Sequence, residues 1–403
     1  MSVAQGQLHP SRQGKERGQV PKLEGIRIRN YRVLHDISLG SIARGKRPLT
    51  QLTAVVGDHG TGKSTLLDAL AFLSACLKDG LEASCDAHGG FGRLRSLGQV
   101  GAIEFEIAYE DNGEELVYKL VLDADRHGRP YVAEESLARS EPGQKNAFFL
   151  LTLREGRGYA MRPDADMADA VELADRQKLA IAVLGNLKRY PRLSALRSHI
   201  RGWQHHAFSP DAARSLPCAV PQTRLDLNGA NLANVVLFLE RDHPMVLRDI
   251  LKDFSGRIGI EAIETEKTAD GRLILRFHKR AFQTPLFTQH MSDGTLRLLA
   301  LLLLLHDPAL PPLLCLKEPD KGLCQSLLAP LARKLLERAH NTQLLVTANN
   351  PCFVDALAPD TVWLLEKGDN GFAHARRAFD NSPWQGPTGQ GSHWYSASFA
   401  ARE

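Results

Sequence analysis

The stretch Pro48–Leu70, PLTQLTAVVGDHGTGKSTLLDAL, constrains this chain more than any other. Its apolar residues Leu52, Ala54, Val55 and Val56 read as a buried strand, which breaks at Gly57 into GDHGTGKST. An apolar pattern resumes at Leu66, Leu67 and Leu70 and reads as a helix. Strand, G-x-x-x-x-G-K-[ST], helix is the setting in which such a loop cradles phosphates. Gly57, Gly60 and Gly62 permit backbone angles that turn N–H groups inward, and the helix start adds its positive dipole end. The predicted nucleotide-binding loop is Gly57, Asp58, His59, Gly60, Thr61, Gly62, Lys63, Ser64 and Thr65. Lys63 is expected to reach the β- and γ-phosphates and the Ser64 hydroxyl to hold Mg²⁺. The sequence therefore predicts binding of a nucleoside triphosphate.

Composition narrows the rest. A length of 403 residues suggests two or three compact units or one elaborated domain, and 43% apolar with 24% charged residues is ordinary for a globular protein. Fifty basic against 46 acidic residues leave a net charge of +4, which permits nucleic-acid contact without arguing for it. The six cysteines form no C-x-x-C pair and several lie in apolar text, so buried free thiols and a cytoplasmic setting are expected. The N-terminal text lacks the apolar core of a secretory signal. The longest apolar run, Leu298–Leu305, is too short to cross a bilayer and reads as a buried helix, so no membrane contact is expected. Adjacent His205 and His206 point apart on any regular element, and Asp123-x-Asp125 and Asp164-x-Asp166 sit in turn-like text, so none of these reads as a metal site.

Along the chain, Ile26 and Ile28 alternate with Arg27 and Arg29 in a half-exposed strand, and Val33–Leu39 reads as a second. Residues 102–109 and 116–122 flank an Asn-Gly turn and predict a β-hairpin. Residues 164–200 read as helical, and Leu232, Val235, Val236 and Leu239 make the stripe of an amphipathic helix. Strands are expected at 258–263, 273–277, 313–316, 343–347 and 361–366, and helices after Ser292 and over 325–339.

Three segments after residue 290 carry further chemistry. MSDGTL opens a helix with Ser292, Asp293 and Gly294; taken alone, it reads as an N-capped helix start. LLCLKEP places Glu318 at the end of an apolar strand, where a carboxylate beside the P-loop strand polarises the attacking water. TANNPCFVDAL runs from a strand into a turn, where Asn349 orients a γ-phosphate or caps the next helix.

In order, these segments resemble the head domain of ABC-type ATPases, in particular the RecF/SMC/OLD-like AAA family ATPases with an AAA_21 domain. The resemblance spans residues 23–362 and rests on IRIRNYRVLHDISL, GDHGTGKST as Walker A, MSDGTLRLLAL as signature, LLCLKEPDKGL as Walker B with D-loop, and QLLVTANNPCFVDAL as switch segment. It implies a two-lobed α/β P-loop head with a mixed sheet and an inserted helical region. The implied division is a flexible tail over 1–22, an N-terminal lobe over 23–160, a mainly helical insert over 161–285, a C-terminal lobe over 286–379 and a second tail over 380–403. It also implies ATP and Mg²⁺ as ligands, with Ser64 on the metal and Glu318 as catalytic base. A head-to-tail dimer is implied too, in which Ser292, Asp293 and Gly294 close on the partner's nucleotide. Relatives commonly act in DNA repair or phage defence with a protein partner.

The chain departs from that pattern. His59 replaces the usual Asn, Lys317 an acidic residue, Cys324-Gln325 the usual His-Pro, and Ala348-Asn349-Asn350 the usual Thr-His-Ser. An ammonium at 317 repels Mg²⁺ instead of attracting it. Two readings stand: an ATPase switch with slow turnover, and a nucleotide-binding scaffold that does not hydrolyse ATP. The Arg27, Arg29 and Arg32 cluster offers a third, DNA binding, which a solvated strand face explains equally well.

Overall fold

The strand that delivers the glycine-rich loop, Leu52–Val56, lies inside a six-stranded sheet. The order across that sheet is Gln204–His206, Leu313–Lys317, Gln343–Ala348, Leu52–Val56, Val362–Lys367 and Ala373–Arg377. The first five strands run parallel and the last is antiparallel. The computed structural model describes residues 21–42, 47–139, 147–162, 168–307 and 309–378. The expected tails fall almost wholly outside them.

The central strands are apolar on both sides because each side meets its own core. Val55, Cys315, Leu345 and Leu365 join one cluster, while Ala54, Val56, Leu316, Val346 and Leu364 join the other, in the alternation a strand imposes. The first cluster lies under the helix Lys63–Lys78 and an antiparallel sheet of eight strands. The second is filled by the helices Leu232–Asp242, Asp293–Leu305 and Gln325–Ala339. Every residue from Thr295 to Leu305 is buried, as the apolar run requires.

The eight-stranded sheet contains Lys22–Tyr31, Leu34–Gly40 and the hairpin Ile103–Asp111/Glu114–Ala124. The hairpin turns at Asn112 and Gly113, both with positive φ, as a two-residue type I′ turn demands. Its inner face buries Ile26, Ile28, Phe105 and Tyr118. On the outer face Arg27 pairs with Asp36 at 2.8 Å and Arg29 with Glu104 at 3.1 Å, while Arg32 reaches Asp68 at 2.9 Å. That arginine cluster is thus charge-matched within the fold.

Two expectations are corrected. Residues 168–172 are not helical: Ala168–Glu172 is the edge strand of the eight-stranded sheet, with Asp169 and Val171 half-buried between exposed neighbours. Helix begins only at Ala180. The Glu318 strand does not neighbour the P-loop strand either, because Gln343–Ala348 lies between them and pairs with both. Strands are found at Ile260–Lys267 and Leu273–Lys279, as expected, and Leu286–Phe287 completes a third small sheet. No described helix is long and apolar enough to cross a membrane.

One buried carboxylate joins the eight-stranded sheet to the helical region. Glu135, 1% exposed, accepts the Tyr118 hydroxyl at 3.0 Å, the Ile181 amide at 2.9 Å and the Ala180 amide. It serves the helix Ala180–Leu184, which has no cap of its own, from 45 residues away. Burial pushes its pKa from 4.5 to about 7 against these three hydrogen bonds. The folded chain therefore holds this proton more tightly than the unfolded chain does. The associated stability is complete below pH 4.5 and is lost as pH rises through about 7. Relative to Glu135→Gln, the wild-type unfolding free energy should fall by about 3 kcal/mol between pH 4.5 and 8, measured by denaturant titration at each pH.

Candidate nucleotide-binding site

The loop Gly57–Gly62 leaves the C-terminal end of its strand and turns directly into the helix Lys63–Lys78. Gly57 is required by close approach, since a Cβ there would lie 2.1 Å from the Leu365 carbonyl oxygen on the neighbouring strand. The helix has no side-chain cap, and its first bonded amide in this turn is that of Leu66, to Gly62 O at 2.9 Å. The amides before it carry the partial positive charge of a helix start. Thr61 braces the loop by donating to Asp58 O at 2.9 Å, and His59 and Gly60 are exposed.

Lys63 is 6% exposed and folds over its own loop, donating to Gly57 O at 2.5 Å and Asp58 O at 2.8 Å. Burial lowers its pKa, and the carboxylates of Glu318, Asp58 and Asp320 oppose that shift. The ammonium thus rests on neutral carbonyls, which a phosphate oxygen exceeds as an acceptor. Ser64 lies exposed on the first turn and Thr65 is half-buried behind it.

Glu318 follows the strand Leu313–Lys317 in a left-handed backbone conformation, with φ of 47°. Its amide is fixed by Thr347, through the carbonyl at 3.0 Å and the hydroxyl at 3.1 Å. Its carboxylate accepts from Asn349 Nδ2 at 3.3 Å and lies 3.7 Å from the Lys321 ammonium. Asn349 is therefore beside the candidate base. The capping role falls to Asn350, which accepts the Cys352 amide at 3.0 Å. Lys317 occupies the last strand position, and the alternation puts it on the face that carries the Lys63–Lys78 helix.

Ser292 caps the helix Asp293–Leu305, accepting from Thr295 N at 3.3 Å and exchanging a hydrogen bond with the Thr295 hydroxyl at 2.8 Å. Ser292 and Asp293 are both exposed. Gly294 abuts the D-loop, where a Cβ would lie 2.6 Å from Gly322 O of the same chain. The signature segment and the loop after Glu318 are thereby packed backbone to backbone.

The motif reading passed over three residues of this neighbourhood. Asp320, 3% exposed, accepts the amides of Asn350 at 2.8 Å and Asn349 at 3.2 Å through Oδ2, while its Oδ1 is buried without a partner among the described residues. Desolvation raises its pKa, and those amide bonds hold it down. Arg297, one turn into the helix Asp293–Leu305, is 9% exposed with Nε unpartnered among the described residues, within 3.9 Å of where a Gly322 Cβ would lie. Arg214 bonds both the Met291 carbonyl, at 2.9 Å, and the Asp293 carboxylate, so it flanks Ser292. The only sequence signals were an Asp two places past Glu318 and an Arg at helical spacing from Gly294. Removing the Asp320 acceptor should free the switch segment. Asp320→Ala should destabilise the fold by about 1–3 kcal/mol and speed hydrogen exchange at Asn349 and Asn350 by more than about tenfold, with Ala54–Val56 unchanged, read by amide exchange.

Comparison with known proteins bears on the whole arrangement. An SMC head domain bound to the C-winged helix domain of ScpA has a similar fold, with a TM-score of 0.54 and 14% identity over 88% of this chain and 97% of that one. The SMC head domain from Thermotoga maritima aligns with a TM-score of 0.44 and 15% identity over 88% and 98% of the two chains. A Pyrococcus furiosus SMC head with an extended coiled coil, bound to the C-terminal domain of ScpA, gives 0.48 and 15% over 88% and 96%. No curated protein sequence matches the chain. The fold is that of a P-loop, ABC-like ATPase head, and the model of the AAA_21 family, described as AAA domain, putative AbiEii toxin, Type IV TA system, matches residues 52–355: the chain belongs to that family.

Proposed function

We propose that the chain is an ATP-dependent switch: ATP binds at Gly57–Thr65, turnover is slow, and the output is closure of two heads on each other. The observation that carries this reading is the Glu318–Asn349 contact at the end of the strand two places from the P-loop strand, with the Lys63 ammonium under the influence of Glu318 and Asp320. In this reading Lys63 and the loop amides bind the phosphates. Glu318 accepts the proton of the attacking water, and Asn349 holds that carboxylate in place.

Mg²⁺ takes oxygen ligands in a near-octahedral set. The chain offers the Ser64 hydroxyl, and the Glu318 and Asp320 carboxylates stand at the strand end, Asp320 with an orphan Oδ1. These donors fit the ion, which when bound neutralises charge on the β- and γ-phosphates. Lys317 adds a cation where the resembled heads carry a carboxylate.

That substitution favours a second reading, in which nucleotide binding holds an assembly together without hydrolysis. Phosphate release measured beside ATP affinity separates the two. Lys317→Asp should tighten Mg²⁺-dependent ATP binding and raise turnover by about tenfold, since one charge contact worth about 1.4 kcal/mol suffices for that factor. Unchanged background release would favour the scaffold, and lower release would place Lys317 in the site as a phosphate contact or a partner of Glu318.

The exposed Ser292 and Asp293, with the half-buried Gly294, are suited to a partner's nucleotide, and the packed Gly294–Gly322 contact links them to the loop after Glu318. Light scattering of Glu318→Gln with saturating ATP should show twice the monomer mass. A monomer at micromolar protein would contradict the sandwich. The family description, a putative AbiEii toxin of a Type IV TA system, supports phage defence as the setting, and the SMC head bound to ScpA supports a protein partner.

A further inference from the structure

Where the edge strands of the two sheets, Leu34–Gly40 and Ala373–Arg377, come together lies a cleft that none of the loop residues Gly57–Thr65 lines. It is walled by the strand Leu34–Gly40 with Arg27 on one side and by Val362–Lys367 and Ala373–Arg377 on the other, and encloses about 720 Å³. Among the described residues, four arginines (Arg27, Arg47, Arg376 and Arg377), His374 and one acidic residue, Asp36, line it, with Arg377 on the face of its strand opposite to His374 and Arg376. Arg27 is held by Asp36 through two bonds, at 2.9 and 2.8 Å, and Arg376 by Glu366 likewise.

Arg377 differs from these. It is 6% exposed, its Nε and Nη2 donate to the Asp360 carbonyl at 2.9 and 2.6 Å, and Nη1 is buried with no partner. Among the described residues no carboxylate neutralises it. A buried guanidinium without a counter-ion is costly, and an anion in the cleft would supply one. Trp363, half-buried, lies directly across the strand ladder from Arg377 and adds a flat apolar surface to the same wall.

Forked guanidiniums match phosphate oxygens, and an indole beside them matches the face of a base. The volume is that of a small-ligand site. We propose that this cleft is a second nucleotide-recognition site, separate from the P-loop, which binds one phosphate-bearing nucleotide unit. The unit is either a free mononucleotide or one link of a single strand, and the two sources share the chemistry that the wall recognises.

The test uses the full chain carrying Lys63→Ala, which silences the P-loop, so failure here is distinct from failure of the ATP reading. Fluorescently labelled AMP and labelled oligothymidylate are titrated separately and followed by anisotropy. Binding of the oligomer alone identifies a strand as the source, and binding of AMP identifies the free nucleotide; either supports the site. Affinity should fall as salt rises, and the exposed-residue variants His374→Glu and Arg47→Glu should each weaken it by roughly tenfold. Arg377→Gln should weaken it further, in a chain whose circular dichroism matches the parent. The proposal is overturned if neither probe binds or if both charge reversals leave binding unchanged.

Discussion

Burial of the strand Leu52–Val56 on both faces is the constraint on which the rest of the molecule depends. A strand that contributes Val55 to one core and Ala54 and Val56 to the other cannot slip by one residue without exchanging its two apolar sets. Its C-terminal end is therefore fixed, and so is the loop that follows. The parallel neighbours end at the same edge of the sheet, which brings Glu318 and Asn349, 31 residues apart, to the end that carries Lys63 from far earlier in the chain. Ligands of open α/β sheets gather at that edge for this reason.

The chemistry at that edge is a balance of partly buried charge. Lys63 and Arg297 are cations held away from water, while Asp320 is a carboxylate whose pKa burial raises. None is fully neutralised by a direct ion pair among the described residues, and orphan atoms remain on Arg297, Asp320 and Asn349. A triphosphate with its cation would complete such a set. Asp320 also holds the amides of Asn349 and Asn350, and Gly322, two residues on, touches Gly294. In the proposed reading, movement at the nucleotide would have a short packed route to the helix Asp293–Leu305.

Much of this was legible in the residues because the relevant signals are local. The glycine-rich loop, the Asn112-Gly113 hairpin and the helix Asp293–Leu305 with its apolar run each depend on a few adjacent residues, and each appears where the pattern put it. What could not be read depends on partners distant in sequence. The strand Ala168–Glu172 exists because Arg157–Met161 presents an edge for it to join, and its own text is equally compatible with a helix. The strand between Walker A and Walker B is a matter of topology, which adjacent residues do not encode. Asp320, Arg214 and the capping reach of Glu135 are polar contacts across 29 to 79 residues, invisible to any window of sequence.

The central claim is that Gly57–Thr65 is a working nucleotide site. Isothermal titration of Mg²⁺·ATP into the wild-type chain and into Lys63→Ala measures this most directly. The account predicts one Lys63-dependent site per chain in the wild type and its loss in the variant, with the variant's fold intact by circular dichroism, because among the described residues the ammonium bonds only to its own loop. Equal ATP affinity in the two chains, or no binding by the wild type at millimolar nucleotide, would contradict it.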